Sequence, residues 1–187
     1  MIMTMNHRSS VHAGFTLVET LVAITILSIA IIGPFHAVQS ALNGSYTARD
    51  YLAASALAQE GMEQVRYIRG NNYLYNVANP SSTRSWLYGL DGSGGTPSCG
   101  APAKCTVDTT NLSTPIAVCL NGTCSPLSLS TTNLYNQAEV GTVTRFTRSV
   151  TITSSSANEA TVDVTVTWIS AHTPYSVTVT SVLTNWL

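Results

Sequence analysis

One feature constrains this chain more than any other. Residues 15–32 read FTLVETLVAITILSIAII, an apolar run with Glu19 as its sole charge. As a helix rising ~1.5 Å per residue, the run spans about 27 Å, roughly the hydrocarbon thickness of a bilayer. Ahead of it lies MIMTMNHRSSVHAG, which holds Arg8 and two histidines and no acid. A basic flank before an apolar run predicts that this end stays cytoplasmic and that the bulk of the chain is exported. Glu19 is the anomaly. A carboxylate deep in a bilayer costs on the order of 2.5–3.5 kcal/mol even on the insertion scale, so it persists where a partner is supplied.

Two simple readings leave that residue unexplained. A secretory signal cut near Val38-Gln39-Ser40 would have a core longer than the usual ~7–15 residues, with an acid inside it. A plain signal anchor would treat Glu19 as a blemish about 7 Å deep that snorkels outward. A third reading comes from the residues themselves: Gly14, Phe15, Thr16-Leu17-Val18, Glu19 and the apolar helix after them, behind a basic leader. Together they resemble the prepilin N-terminal motif of type IV pilins and type II secretion pseudopilins. The resemblance implies a cleaved leader (1–14) and a transmembrane and filament-core helix (15–35). It implies cutting between Gly14 and Phe15 by prepilin peptidase, with methylation of the new Phe15 amine. Glu19 would then pair with the Phe15 amine of a neighbouring subunit and set the stagger between them. A buried pair is a weak stabiliser but a good device for fixing register. The implied partners are other pilin subunits, the peptidase and an inner-membrane assembly platform. The implied location is the inner membrane, single-pass with a cytoplasmic N-terminus, and then an extracellular or periplasmic filament.

Helical pattern continues beyond the membrane run. Phe35, Val38 and Leu42 keep one spacing; Tyr51, Ala54, Ala58, Met62, Val65 and Ile68 keep another, in steps of three or four. Residues 36–70 thus read as an amphipathic helix, stopped by Gly70-Asn71-Asn72. Two weak points lie within it. Asn43-Gly44 favours a turn, and Pro34 cannot donate to the carbonyl of Ala30. By the resemblance, the Gly33-Pro34 region loses helix in the assembled fibre and lets it stretch. Glu63 and Arg66 can pair at i,i+3, and Glu60, Glu63, Arg66 and Arg69 read as a solvated or subunit-facing side.

Residues 71–138 are rich in Pro, Gly, Ser, Asn and Thr, too long for a simple loop, and carry Tyr73, Tyr75, Trp86 and Tyr88 near their start. All four cysteines, Cys99, Cys105, Cys119 and Cys124, fall here, which fits disulfides in an oxidising compartment. Asn121-Gly122 is a strong hairpin-turn signal. It sets Leu120 opposite Thr123 and Cys119 opposite Cys124 with Cα atoms about 4.5 Å apart, inside disulfide range. That favours Cys119–Cys124 and Cys99–Cys105, with two other connectivities open. The spacers do not match zinc knuckles.

From residue 139 the chain reads as β, with twelve Thr and nine Val. Val162, Val164, Val166 and Trp168 alternate with polar residues, as do Tyr175, Val177 and Val179. Phe146, Val150 and Ile152 share a face on which Arg148 is the exception. SSSANE and SAHTP are the turns. A three-stranded meander with one apolar face must bury it, and the helix over 46–69 is the obvious cover. The expected fold is α+β, a long N-terminal helix packed on a C-terminal antiparallel sheet, which is also the roll that the resemblance implies.

Other chemistry finds little support. Charged residues are 9% of the chain and the net charge is −1, so no basic nucleic-acid groove is built in; a tip-located adhesive or DNA-binding role for 71–138 is the alternative from the binding class. Asp91 to Gly95, DGSGG, is a protease-like string without a positioned base, since His36 borders the membrane run and His172 sits in a turn. Asp91 and Asp108 lack a calcium-loop motif. Asn43, Asn111 and Asn121 begin N-x-S/T triplets that matter only in a glycosylating host. The expectation is therefore a structural subunit, with no catalysis, cofactor or metal. The LAQEGMEQVRYIRGNN helix and the C-terminal VTVTW and SVTVTSVLTNW strands resemble minor pilins of the PilV type; a type II secretion pseudopilin is the alternative.

Overall fold

The computed structural model describes residues 14–137 and 141–185. The leader up to residue 13, residues 138–140, and 186–187 at the end of the expected sheet region lie outside it. The chain divides into two compact units, one ending at Tyr46 and the other beginning at Thr47. One α-helix, α1 (Leu17–Ala78), runs through residues of both.

In the first unit the described residues, 14–46, are all exposed. Neither expected weak point interrupts α1, which holds Pro34 in its interior and passes through Asn43-Gly44. A proline removes one backbone bond and strains one turn, at a cost of about 3 kcal/mol. Helix formation is cooperative, so long helical flanks carry the chain across such a defect.

The second unit is built on a five-stranded antiparallel sheet in which two short strands flank one side of a three-stranded meander. Its long strands are β6 (Thr147–Ser156), β7 (Glu159–Ser170) and β8 (Thr173–Thr184), which form the expected meander. Val150 pairs with Val164, and Val164 with Val179, so apolar residues stack in rows on one face. Burial along β7 alternates, with Ala160, Val162, Val164, Val166 and Trp168 inside. Ala54, Leu57, Ala58, Met62 and Val65 of α1 join them in one core cluster. The hairpin between β7 and β8 turns at Ala171 and His172, both at positive φ (47° and 66°).

The region 71–138 is not all loop. β1 (Cys105–Val107) and β2 (Ile116–Val118) extend the main sheet beyond β6. β3 (Ser128–Leu129), β4 (Tyr135–Asn136) and β5 (Thr142–Val143) form a second, three-stranded sheet. Cys119 is bonded to Cys124 with Cα atoms 4.6 Å apart, and Cys99 to Cys105 at 5.2 Å. Leu120 bridges Thr123 around Asn121 and Gly122, both at positive φ as a two-residue hairpin turn of this kind requires.

Two sequence expectations need correction. The helix does not stop at Gly70-Asn71-Asn72 but at Ala78, two turns later. The Asn72 carboxamide is buried and donates to the carbonyls of Trp86 (3.1 Å) and Tyr88 (2.8 Å). Asn76 donates to the Arg84 carbonyl and accepts from the Arg84 N–H. Residues that end helices in isolation here tie helix to loop. Pro80 then lies two residues past the last helical residue, where a non-helical residue is well placed.

The charged set on α1 also differs. Glu63 and Arg66 pair as expected (2.7 Å) and are exposed, but Arg66 also reaches the Ser181 hydroxyl. Arg69 donates to the Thr184 carbonyl, and Glu60 accepts from the Thr109 hydroxyl and from Arg148. Glu60, Arg66 and Arg69 thus each reach a strand of their own sheet, while Glu63 stays on the solvated side, and Arg148 is fully buried beneath Glu60. Arg148 donates to the carbonyls of Leu57 (3.0 Å) and Val107 (2.7 Å) and to Glu60 (3.3 Å), linking α1 to β1 through β6. Burial lowers its pKa, opposed by the Glu60 and Asp108 carboxylates. Gly61 makes room for it, since a Cβ there would lie 3.0 Å from both Arg148 Cδ and Val164 Cγ1.

Candidate functional site at the start of the N-terminal helix

Thr16 precedes α1 as its N-cap. Its carbonyl accepts the first helical bond, from the Thr20 N–H (3.2 Å), and its hydroxyl accepts from the Glu19 N–H (3.3 Å). Thr16 and Glu19 therefore occupy the first and last positions of an S/T-x-x-E capping pattern. A carboxylate in the first turn also suits the positive end of the helix dipole. The sequence signal for this local role is Thr16-Leu17-Val18-Glu19, which the apolar run around it masks.

The other polar side chains in the run are satisfied within it. Thr20 donates to the Leu17 carbonyl (2.9 Å), Thr25 to Val22 (2.8 Å) and Ser28 to Ile24 (2.8 Å). With their hydroxyl protons bonded to the helix itself, these residues can enter hydrocarbon without unmet donors. Glu19 is different. Its carboxylate has no protein partner among the described residues, and Phe15 beside it is 80% exposed.

Around the helix the apolar surface is uncovered on every side. Leu17, Leu21, Ile24, Leu27, Ile31 and Phe35 are all exposed. The helix is long and apolar enough to cross a membrane, and its most apolar window has none of its residues buried. Such a surface on a described chain demands a covering phase, either lipid or other helices. Nor does packing explain the glycine before it. A Cβ on Gly14 or on Gly33 would meet nothing within 4 Å, so whatever selects glycine there acts from outside these contacts.

These residues fall inside a match to a known family model. It is the prokaryotic N-terminal methylation motif, over residues 10–33. The match covers Gly14, Phe15, Glu19 and all of the apolar run, and with the apolar helix it supports a membrane-anchored, type IV pilin-like or pseudopilin-like precursor. No curated protein and no solved structure matches the chain.

The remaining sequence candidates serve the fold. Asp108 accepts from Thr110 (N–H 2.9 Å, hydroxyl 2.6 Å) and from the Gln137 N–H (3.1 Å), which uses both carboxylate oxygens. Asp91 accepts from the Ser93 N–H and hydroxyl and from the Ser85 hydroxyl. Partial burial pushes its carboxyl up, but those hydrogen bonds outweigh it and hold the pKa below the ordinary aspartate value. His172 is an exposed turn residue and His36 lies on the exposed part of α1. No cluster of three or more His, Cys, Asp or Glu stands ready for a metal among the described residues.

Proposed function

We propose that this chain is a structural subunit of a type IV pilus or related filament, a minor pilin of the PilV type. The observation that carries the proposal is the uncovered membrane-length helix opening on Gly14-Phe15 with an unpartnered Glu19, within the matched motif. Prepilin peptidase cuts after Gly14 on the cytoplasmic face and methylates Phe15. The subunit waits in the inner membrane, anchored by residues 15–35. On assembly the helix exchanges lipid for neighbouring helices, and Glu19 meets the Phe15 amine of the next subunit. Removing a carboxylate from hydrocarbon to a charged partner favours that exchange. Gly33 and Pro34 form a soft joint where the helix gives way in the fibre. The chain itself carries out no reaction; it is the peptidase's substrate.

N-terminal sequencing of the exported protein tests the reading. It should begin at N-methylated Phe15, and a start at any other residue would refute it. A pseudopilin of a type II secretion system would be processed identically. Deletion of the chain separates the two, because loss of pili with secretion intact supports the pilus and the reverse outcome supports the secretion system.

A further inference from the structure

Away from the N-terminal helix, a cleft of about 430 Å³ opens between the end of α1 and the loops at 84–97 and 111–116. Its walls are mainly apolar, with Ile68, Pro97, Leu112 and Pro115 prominent, and Leu112 is 71% exposed. Arg84 lines it. The backbone of Arg84 is clamped at both N–H (2.8 Å) and C=O (2.9 Å) by Asn76, itself on α1. Its guanidinium lies over the rings of Tyr75 (4.0 Å to the centroid) and Tyr88 (4.9 Å). Those contacts fix the plane of the cation yet satisfy none of its donors. Among the described residues the guanidinium has no hydrogen-bond acceptor, and its Nε is shut off from water as well. No Asp or Glu lines the cleft, while Asn71 presents a carboxamide with no described partner.

A buried donor without an acceptor calls for an explanation. Arg69 and Arg148 also bury an unbonded Nε, but their terminal nitrogens, unlike those of Arg84, find acceptors in the chain. Arg66, Arg69, Arg145 and Arg148 each donate to a carboxylate, hydroxyl or carbonyl of the chain. Arg84 alone among these is stacked, clamped and unpaired. A guanidinium held in a plane is suited to a carboxylate, which accepts two parallel N–H bonds. The apolar walls add a requirement for a greasy body behind that carboxylate. A sugar acid would set a ring of hydroxyls against walls that are mainly apolar.

We propose that the Arg84 cleft is a docking site for an acidic peptide segment of a protein partner. A glutamate or aspartate side chain of the partner meets the Arg84 guanidinium, and a neighbouring apolar side chain lies against Leu112 and Pro97. The site is independent of the N-terminal helix and of the filament reading.

The test uses the full chain in detergent micelles with ¹⁵N-labelled arginine, following the Nε–H resonances by NMR. The Arg84 signal is assigned with Arg84→Lys. The probes are N-acetyl-Leu-Leu-Glu-amide, its Gln counterpart, galacturonic acid and inorganic phosphate. The Glu peptide should shift the Arg84 signal saturably, with the Gln peptide binding at least about tenfold more weakly, a difference of ~1.4 kcal/mol. Arg84→Lys, which keeps the charge and loses the fork, should weaken the Glu peptide by a similar factor, read on neighbouring amides. Equal binding of the two peptides would overturn the proposal. So would galacturonate or phosphate matching the Glu peptide, or an unmoved Arg84 signal at about 50 mM peptide, weaker than any specific site. If Arg84→Lys fails to fold, assignment by Asn71→Ala, whose carboxamide lines the same cleft, leaves the wild-type comparison decisive.

Discussion

Arg148 lies on the inner face of β6 between Phe146 and Val150, where the alternation of that strand calls for an apolar side chain. Its three acceptors come from residues 57, 60 and 107, so the reason for an arginine there exists only in the folded chain. The sequence could mark it as an exception and go no further. Truncation by Arg148→Ala removes those bonds and leaves a void, so unfolding free energy should fall by about 2–5 kcal/mol, measured by urea titration of the detergent-solubilised chain. Gly61→Ala attacks the same site from the helix side by pressing a methyl onto Arg148 and Val164, and should cost about 1–3 kcal/mol. Because the two residues touch, the double variant should lose less than the sum. At Asp91 the folded pKa is depressed, so its contribution is present above the ordinary aspartate value of about 3.9 and is lost as pH falls through the lower folded value. NMR titration of the Asp91 carboxyl should show a midpoint below that of an aspartate in a short peptide, and Ser85→Ala should move it up.

At the scale of elements, what the sequence displayed was periodicity, and what it hid was anchoring. The meander β6–β7–β8 was legible because a two-residue period survives any context, and so was the Cys119–Cys124 hairpin, whose turn and pairing are set within six residues. The strands β1 to β5 span only two or three residues each, too few for a period to emerge. The last two turns of α1 were misread for a related reason. Gly70-Asn71-Asn72 carries a stop signal, and the force that overrides it comes from carbonyls at 84, 86 and 88. Asn72→Ala leaves the Trp86 and Tyr88 carbonyls without their buried donor, at a cost of about 1–3 kcal/mol. Amide exchange should then rise over residues 73–78 well before it rises over 54–65. Uniform loss of protection along the helix would show that Asn72 does not hold its end in place.

For the whole molecule, the question is which of two roles keeps a carboxylate at Glu19, and one substitution separates them. A capping pattern of this kind accepts Gln as readily as Glu, so Glu19→Gln preserves the start of α1 while removing the charge. Glu19→Val removes the charge and the polar side chain, while the Glu19 N–H bond to the Thr16 hydroxyl is open to either variant. If the charge serves only the helix terminus, whose dipole term is roughly 0.3–1 kcal/mol, Glu19→Gln should behave nearly as wild type in every assay. If the charge seeks a neighbour's Phe15 amine, the outcomes diverge by stage. Membrane insertion should be unchanged or easier, since a neutral side chain avoids about 2 kcal/mol or more of burial cost. Cleavage after Gly14 should proceed, because the junction is untouched. Incorporation into sheared filaments should drop at least tenfold for Gln and Val alike. The measurement is the ratio of processed chain in filaments to processed chain in membranes, for the three versions side by side. A filament fraction for Glu19→Gln equal to wild type would assign Glu19 to the helix terminus. A loss shared by Gln and Val would assign it to the contact between subunits, where the uncovered helix finds its second solvent.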